Sequence, residues 1–216
     1  MAVLSPLRVT ITNLGAPVPV LARNHPKDDS MGTRELTLTE TFYIDRSDFR
    51  LEDDPNYYGL APGKEVGLKH AGFYIRCDEV VKGTDGYPTE LRVSIDLNSS
   101  ARAKREQPKG VLQWVPENNK TTLAEVRLYN HLFTVPNVGA EAEWLSCISP
   151  DSLERVHGAL GEKAVLECKP GDRVQFERVG FFVCDKDSGE AGPVFNRIVG
   201  LKESKEKVVA APAKKR

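Results

Sequence analysis

The residues best suited to selective chemistry lie near the end of the chain, in Gln175-Phe176-Glu177-Arg178. A carboxamide both donates and accepts hydrogen bonds, and a guanidinium offers five donors in a flat fork. This pair suits recognition of a polar planar group better than bond making. Strand-like alternation over 173–178 puts Gln175 and Glu177 on one face and Phe176 and Arg178 on the other. On residue type alone, a Gln or Arg in such a place is ordinarily a surface group with a local hydrogen bond. A second run, from Asn56-Tyr57-Tyr58-Gly59 to Lys69, adds an amide, two aromatic faces and the cations Lys64 and Lys69.

Catalytic patterns are missing around these groups. No Walker loop, nucleophile elbow or zinc helix is present. His25, His70, His131 and His157 are isolated in sequence and read as structural. The carboxylate-rich stretch from Asp45 to Asp54 reads as a solvated loop rather than a general acid–base pair. Cys77, Cys147, Cys168 and Cys184 form no C-x-x-C pair, which argues against zinc and for free buried thiols in a reducing compartment. The first residues lack a charged n-region and a long apolar stretch, so neither a signal peptide nor a membrane span is expected, and the cytoplasm is the expected location.

With 216 residues, the chain can form one large or two small domains. Its 30 basic and 31 acidic residues leave a net charge of −1. A binder that grips nucleic acid by bulk charge would be strongly basic, so any RNA contact must use local patches and shape. Alternation dominates the pattern. Leu7, Val9 and Ile11 share one face of a strand whose other face carries Arg8, Thr10 and Thr12. Phe73–Cys77 and Glu90–Ile95 flank Gly83-Thr84-Asp85-Gly86, a hairpin signal. Further strands are expected at 111–115, 123–128, 153–157, 173–178 and 180–184. Many short strands at this spacing indicate an all-β chain of the barrel kind. A turn capped by Ser47 at Arg46–Phe49 and a short helix over Ala140–Ile148 are the expected helical elements. Trp114, Trp144, Phe176, Phe181 and Phe182 read as core. The segment 98–109, with Arg102, Lys104, Arg105 and Lys109, reads as an exposed basic loop, and 202–216 as a disordered tail.

Several strings occur in an order that resembles the C-terminal anticodon-binding region of glutaminyl-tRNA synthetase. They begin with Asn24-His25-Pro26, Met31-Gly32-Thr33-Arg34 and Phe42-Tyr43-Ile44-Asp45-Arg46-Ser47-Asp48-Phe49. Gly63-Lys64-Glu65-Val66, the strand of Trp114, Glu125-Val126-Arg127-Leu128-Tyr129 and Leu132-Phe133-Thr134-Val135-Pro136-Asn137 follow. Gln175-Phe176-Glu177-Arg178 and Pro193-Val194-Phe195-Asn196-Arg197 complete the set. The resemblance covers roughly residues 1–203. It implies two adjacent β-barrels of the ribosomal L25-like and glutaminyl-tRNA synthetase anticodon-binding type. The implied division is 1–45 with 120–203 as a discontinuous proximal barrel, 46–119 as a distal barrel and 204–216 as a flexible tail. The HIGH-like and KMSKS-like signatures of a class I synthetase active site are absent. The stretch then resembles a piece whose N-terminal catalytic half lies elsewhere, with Met1 an internal residue of the parent.

What the resemblance implies for chemistry is recognition of the tRNA(Gln) anticodon loop. ATP and Mg²⁺ would serve the parent's own N-terminal catalytic domain, with no cofactor in this stretch. Sequence-specific RNA reading works on unstacked bases, which need a flat face and hydrogen bonds to the Watson–Crick edge. By resemblance, Gln175 reads the middle base, uridine, and Arg178 contacts RNA or orients its neighbours. Asn56, Tyr57, Tyr58, Lys64 and Lys69 form the second RNA-facing region. Bacterial members carry Lys-Arg at Tyr58-Gly59 and Arg-x-Arg at 67–69, so this chain departs from them at Tyr58, Gly59 and Gly67, and Tyr57 or Tyr58 would stack on a base instead. A family arginine that shares the uridine pocket would precede Met1. The anticodon module of a glutamate-specific enzyme and a stand-alone RNA- or protein-binding barrel are the alternatives. A multi-synthetase assembly, tethered through the lysine-rich tail, is a further expected partner.

Overall fold

The computed structural model describes residues 1–98 and 107–201. Most of the expected basic loop and the expected tail lie outside the described residues. The fold is all-β, of barrel type, and the helical elements among the described residues are short 3₁₀ turns. In chain order the strands are β1 (Ala2–Val3), β2 (Pro6–Ile11), β3 (Val18–Arg23), β4 (Thr33–Leu38), β5 (Thr41–Asp45) and β6 (Glu65–Leu68). They continue with β7 (Tyr74–Lys82), β8 (Pro88–Asp96), β9 (Val111–Leu112), β10 (Val115–Pro116), β11 (Lys120–Thr122) and β12 (Glu125–Tyr129). The last are β13 (Leu153–Val156), β14 (Leu160–Glu162), β15 (Arg173–Phe176), β16 (Gly180–Cys184) and β17 (Val194–Gly200).

One sheet has seven strands in the order β10-β5-β2-β8-β7-β6-β9. The alternation read in β2 sets its register. Leu7 lies opposite Ile44 and Val9 opposite Phe42, while Val9 and Ile11 run parallel beside Leu91 and Val93. All of these side chains are fully buried or nearly so. The β7–β8 hairpin forms where expected, and Gly86 takes the positive φ that its turn needs. This sheet closes over a core containing Phe42, Leu60, Ile75, Leu91 and Trp114. A second sheet of five strands, β13-β12-β17-β16-β15, covers another core with Val126, Phe176, Phe182 and Phe195. The expected barrel boundary at 45 runs across the seven-stranded sheet, because β2 and β5 hydrogen-bond into the same ladder as the strands between 65 and 116.

Two elements join the halves. β1 and β11 pair with β14, so Ala2 enters the second core from the start of the chain. The β3–β4 hairpin also docks onto β14, through Arg34. Its Nε lies 2.5 Å from Glu162 Oε2, and its Nη1 donates to Arg23 O at 2.9 Å and to Asn24 Oδ1 at 3.2 Å. Asn24 Nδ2 in turn donates to Met31 O at 3.0 Å. The Asn-His-Pro and Met-Gly-Thr-Arg strings are thus the two sides of one braced hairpin loop.

Several expectations change on contact with the structure. The strand over 173–178 stops at Phe176, because Glu177–Val179 form the turn into β16 and Arg178 has φ 64°. Alternation therefore does not place Arg178 with Phe176. The turn at Arg46–Asp48 is capped by the Asp45 side chain, which accepts from Ser47 N, and not by Ser47. In place of the one helix expected over 140–148 stand two 3₁₀ turns, Val138–Ala140 and Trp144–Cys147. Trp144 is 50% exposed and Phe181 is 43% exposed, so neither is core. Phe181 lies on the outer face of β16, whose inner face is filled by Phe182, packed 4.6 Å from Phe176. Cys77, Cys147 and Cys184 are buried and Cys168 is half-buried, all as free thiols.

Candidate nucleic-acid interface

The two sequence regions meet at the junction of the sheets, and two hairpin turns carry the meeting. In the β6–β7 turn, Ala71 N donates to Leu68 O at 3.2 Å and His70 has φ 64°. In the β15–β16 turn, Val179 N donates to Phe176 O at 3.0 Å and Arg178 has φ 64°. A turn with positive φ at its third residue favours Gly or Asn, and another residue there costs about 1–2 kcal/mol. Both turns are held by contacts across the junction. His70 Nε2 and Glu177 Oε1 lie 3.0 Å apart, and Lys69 Nζ is 4.0 Å from Glu177 Oε2. Burial works to raise the Glu177 carboxyl, but the hydrogen bond from His70 and the charges of His70 and Lys69 outweigh it and hold it below the ordinary carboxylate range.

Arg178 is committed to the other sheet. Its Nη2 donates to Asp48 Oδ1 at 2.7 Å and its Nη1 to the Val111 carbonyl. Asp48 is almost buried, and burial, aided by the charge of Asp45 and opposed by Arg178, pushes its carboxyl up to about 6. The expected solvated carboxylate loop holds for Glu52, Asp53 and Asp54, which are exposed, but not for Asp45 and Asp48. Asp45 accepts from Leu4 N and Ser5 N at 3.0 and 3.1 Å, and Asp48 anchors an arginine from 130 residues away.

Gln175 has a different environment. It sits exposed on β15, opposite Phe181, and its carboxamide has no hydrogen-bond partner among the described residues. Phe181 is exposed beside it, an aromatic face that sequence reading assigned to the core.

The second region divides into braced and open residues. Lys64 Nζ lies 2.5 Å from both Asp53 Oδ1 and Tyr57 O, so its cation braces the loop. The Tyr57 hydroxyl donates to Ser47 O at 3.2 Å, and the Arg50 guanidinium stacks 4.2 Å from its ring. Burial, with the charge of Asp48 added, pushes the Tyr57 hydroxyl up to about 12 and keeps it neutral. Asn56 and Tyr58 are exposed, and neither side chain has a hydrogen-bond partner among the described residues. Lys69 is partly exposed at the turn facing Glu177. Gly59 departs from the bacterial pattern for a visible reason. A Cβ there would come within 2.6 Å of Asp48 O and 2.2 Å of the Tyr57 hydroxyl. A Cβ on Gly110 would meet Tyr58 O at 1.9 Å. The backbone at 57–60 is thus pressed between the Asp48 turn and the approach to β9.

The surface presents an open carboxamide at Gln175, an exposed phenol at Tyr58 and a free amide at Asn56, with the Lys69 cation at the turn beside Glu177. Such a surface fits planar polar groups and phosphates more than a reacting bond. Sequence reading singled out Gln175 and the 56–69 run as candidates. It missed Asp48, Glu177 and the Val111 carbonyl as tie points, because these pairings span 67 to 130 residues and follow no local pattern.

Known families match along the same chain. Residues 1–96 and 111–185 each match a family model described as tRNA synthetases class I (E and Q), anti-codon binding domain. The chain is similar to the probable glutamine–tRNA ligase of Dictyostelium discoideum, at 43% identity over 211 residues, covering 96% of this chain and 26% of that protein. It is 40% identical over 214 residues to the glutamine–tRNA ligase of Mus musculus, covering 96% of this chain and 27% of the relative. To the glutamine–tRNA ligase of Neisseria meningitidis it is 40% identical over 215 residues, covering 94% of this chain and 38% of the relative. The chain thus spans about a quarter to somewhat over a third of the length of these relatives.

Proposed function

The chain belongs to the anticodon-binding domains of the class I (E and Q) tRNA synthetases, and from that premise we propose that it reads the tRNA(Gln) anticodon for a glutamine–tRNA ligase. The observation that carries the proposal is the match of both family models, in order, over most of the chain, with similarity along 96% of this chain to relatives named glutamine–tRNA ligase. The catalytic domain, with ATP and Mg²⁺, belongs to the rest of the parent protein, in the cytoplasm. Among the described residues no helix is long and apolar enough to cross a membrane.

In this reading Gln175 takes the middle anticodon base. Uracil presents O4, N3–H and O2, and one carboxamide satisfies an acceptor and a donor on that edge together. The exposure of Gln175 and its lack of a protein partner leave both ends of the amide available. Phe181 and Tyr58 offer stacking faces, each about 1–3 kcal/mol per base. Lys69 meets phosphate. Asn56 offers a second amide. Tyr57 and Lys64 shape the loop that presents them, rather than touching RNA, and Arg178 acts by orienting its turn. A wrong base leaves desolvated polar groups unpaired, which is where discrimination arises.

The test is binding of this chain to three anticodon stem-loops at moderate salt. These are the glutamine loop, one with the middle uridine changed, and one with the third base changed from G to C. Changing the middle base is expected to weaken binding by about 1–3 kcal/mol, and Gln175→Ala to remove that difference. An added loss on the third-base change favours the glutamine enzyme over the glutamate one. Equal, salt-sensitive binding of all three by the wild-type chain would reduce the interaction to phosphate contact and overturn the proposal.

A further inference from the structure

We infer that Asp48 is a positioning residue, which sets the β15–β16 turn by clamping Arg178 and thereby aims the strand that presents Gln175. The consequence for RNA rests on the anticodon reading proposed above. The clamp is a property of this chain.

Three observations support it. First, Arg178 has φ 64°, a conformation that an arginine does not favour, so something outside the turn must hold it. Its holders are Asp48 Oδ1 at 2.7 Å and the Val111 carbonyl, both from the other sheet. Gln175 lies three residues before Arg178, on the strand that feeds this turn. Second, Asp48 is a charge kept where the fold disfavours it. Burial is the main cause of its rise from 3.8 to about 6. A folded pKa above the unfolded one means that the native state binds more protons between those values. Stability contributed at this group therefore falls as pH rises through that window, and stays lower above it. An ionised Asp48 thus costs the fold something while it grips Arg178. Third, there is room for release. Asp45, Asp48, Gln113, Arg178 and Val179 line a pocket of about 380 Å³. Gln113 is 2% exposed, and its Oε1 has no hydrogen-bond partner among the described residues, leaving an acceptor beside the clamp.

Among the described residues, few charged and titratable groups face Asp48. Asp45 lies at the start of the same turn, Arg178 comes from the β15–β16 turn, and Tyr57, neutral and stacked on Arg50, covers it from the 54–57 turn. The His70–Glu177 pair braces the Arg178 turn from its other side. Of these, Asp48 is the carboxyl that burial brings to a midpoint near 6. Protonating it removes the charge on Arg178's partner and loosens the turn.

The experiment uses the whole 216-residue chain labelled with ¹⁵N. The Arg178 Nε–H and Gln175 side-chain amide resonances are followed from about pH 5 to about pH 7.5 in wild type and Asp48→Asn, alongside stem-loop binding and thermal unfolding. Both resonances are expected to titrate together near pH 6 in wild type and to be flat in the variant. Binding of the glutamine stem-loop is expected to weaken about tenfold toward the acid end in wild type. Asp48→Asn should bind about tenfold more weakly throughout while unfolding no earlier than wild type near pH 7.5. Adding Asp48→Asn to Arg178→Ala should cause no further loss, because Asp48 acts through Arg178. A Gln175 resonance indifferent both to pH in wild type and to Asp48→Asn overturns the inference, as does an additive loss in the double variant. If wild type binds no stem-loop at any pH, the anticodon reading fails, and the resonances still decide the clamp.

Discussion

A chain carrying Trp114→Ala is expected to lose about 3–5 kcal/mol of stability, the largest effect of any single truncation considered. Trp114 is fully buried in the first core, with its ring edge-on to Phe42 at 5.9 Å between centroids. Its removal deletes a large apolar surface and leaves a cavity among fully buried neighbours such as Phe42. It also strands a hydrogen bond, since Trp114 Nε1 donates to Lys69 O at 2.8 Å. That carbonyl belongs to the turn holding His70 and facing Glu177. Denaturant unfolding should therefore show a reduced midpoint. Trp114→Phe, which keeps most of the volume but not the donor, should lose about 1–3 kcal/mol, mostly through the stranded carbonyl. A loss below about 1 kcal/mol for the alanine variant would mean that the first core does not depend on this ring.

Arg34→Ala is expected to cost about 3 kcal/mol, by a different route. Glu162 is 1% exposed, and Arg34 meets both of its oxygens, at 2.5 and 3.1 Å. Losing the guanidinium leaves a buried carboxylate without its charged side-chain partner, and also frees the β3–β4 hairpin from β14. The same substitution removes the contacts to Arg23 O and Asn24 Oδ1. Replacing Arg34 and Glu162 together by Met and Leu should recover much of the loss, because neither desolvated charge remains. Unfolding by denaturant distinguishes the cases. A single variant as stable as wild type would show that the hairpin is held by its own ladder and not by the ion pair.

Much of the fold was legible because its signals are local. The alternation in β2 and the Gly83–Gly86 turn follow from side-chain period and backbone freedom, and the structure keeps both. The reading failed where long-range contacts override the local pattern. Arg178 continues the alternation of β15 in sequence, yet it turns left-handed because Asp48 and Val111 lie across the junction to receive it. Trp144 looks like core by type but sits in a 3₁₀ turn that leaves it half-exposed. Lys64 looks like a free cation in sequence and is bound by Asp53 and the Tyr57 carbonyl. The place of Gln175 on the exposed face of a strand was legible, while the tie between Arg178 and Asp48 was not, since no spacing rule links positions 130 residues apart.

The pairing of β12 with β17 is parallel, and the strands are joined by everything from Asn130 to Pro193. β1 likewise finds its partner only at β14. A chain emerging from the ribosome can close its first sheet once residue 116 is out, but Ala2 must wait for Leu160 and Gly161, and β12 must wait for β17. Contacts of such sequence separation form late and slowly. During that interval the apolar faces of β12 and β16 stand uncovered, so vectorial synthesis leaves the second core, rather than the first, as the stage at which nascent chains are exposed to chaperones and to aggregation.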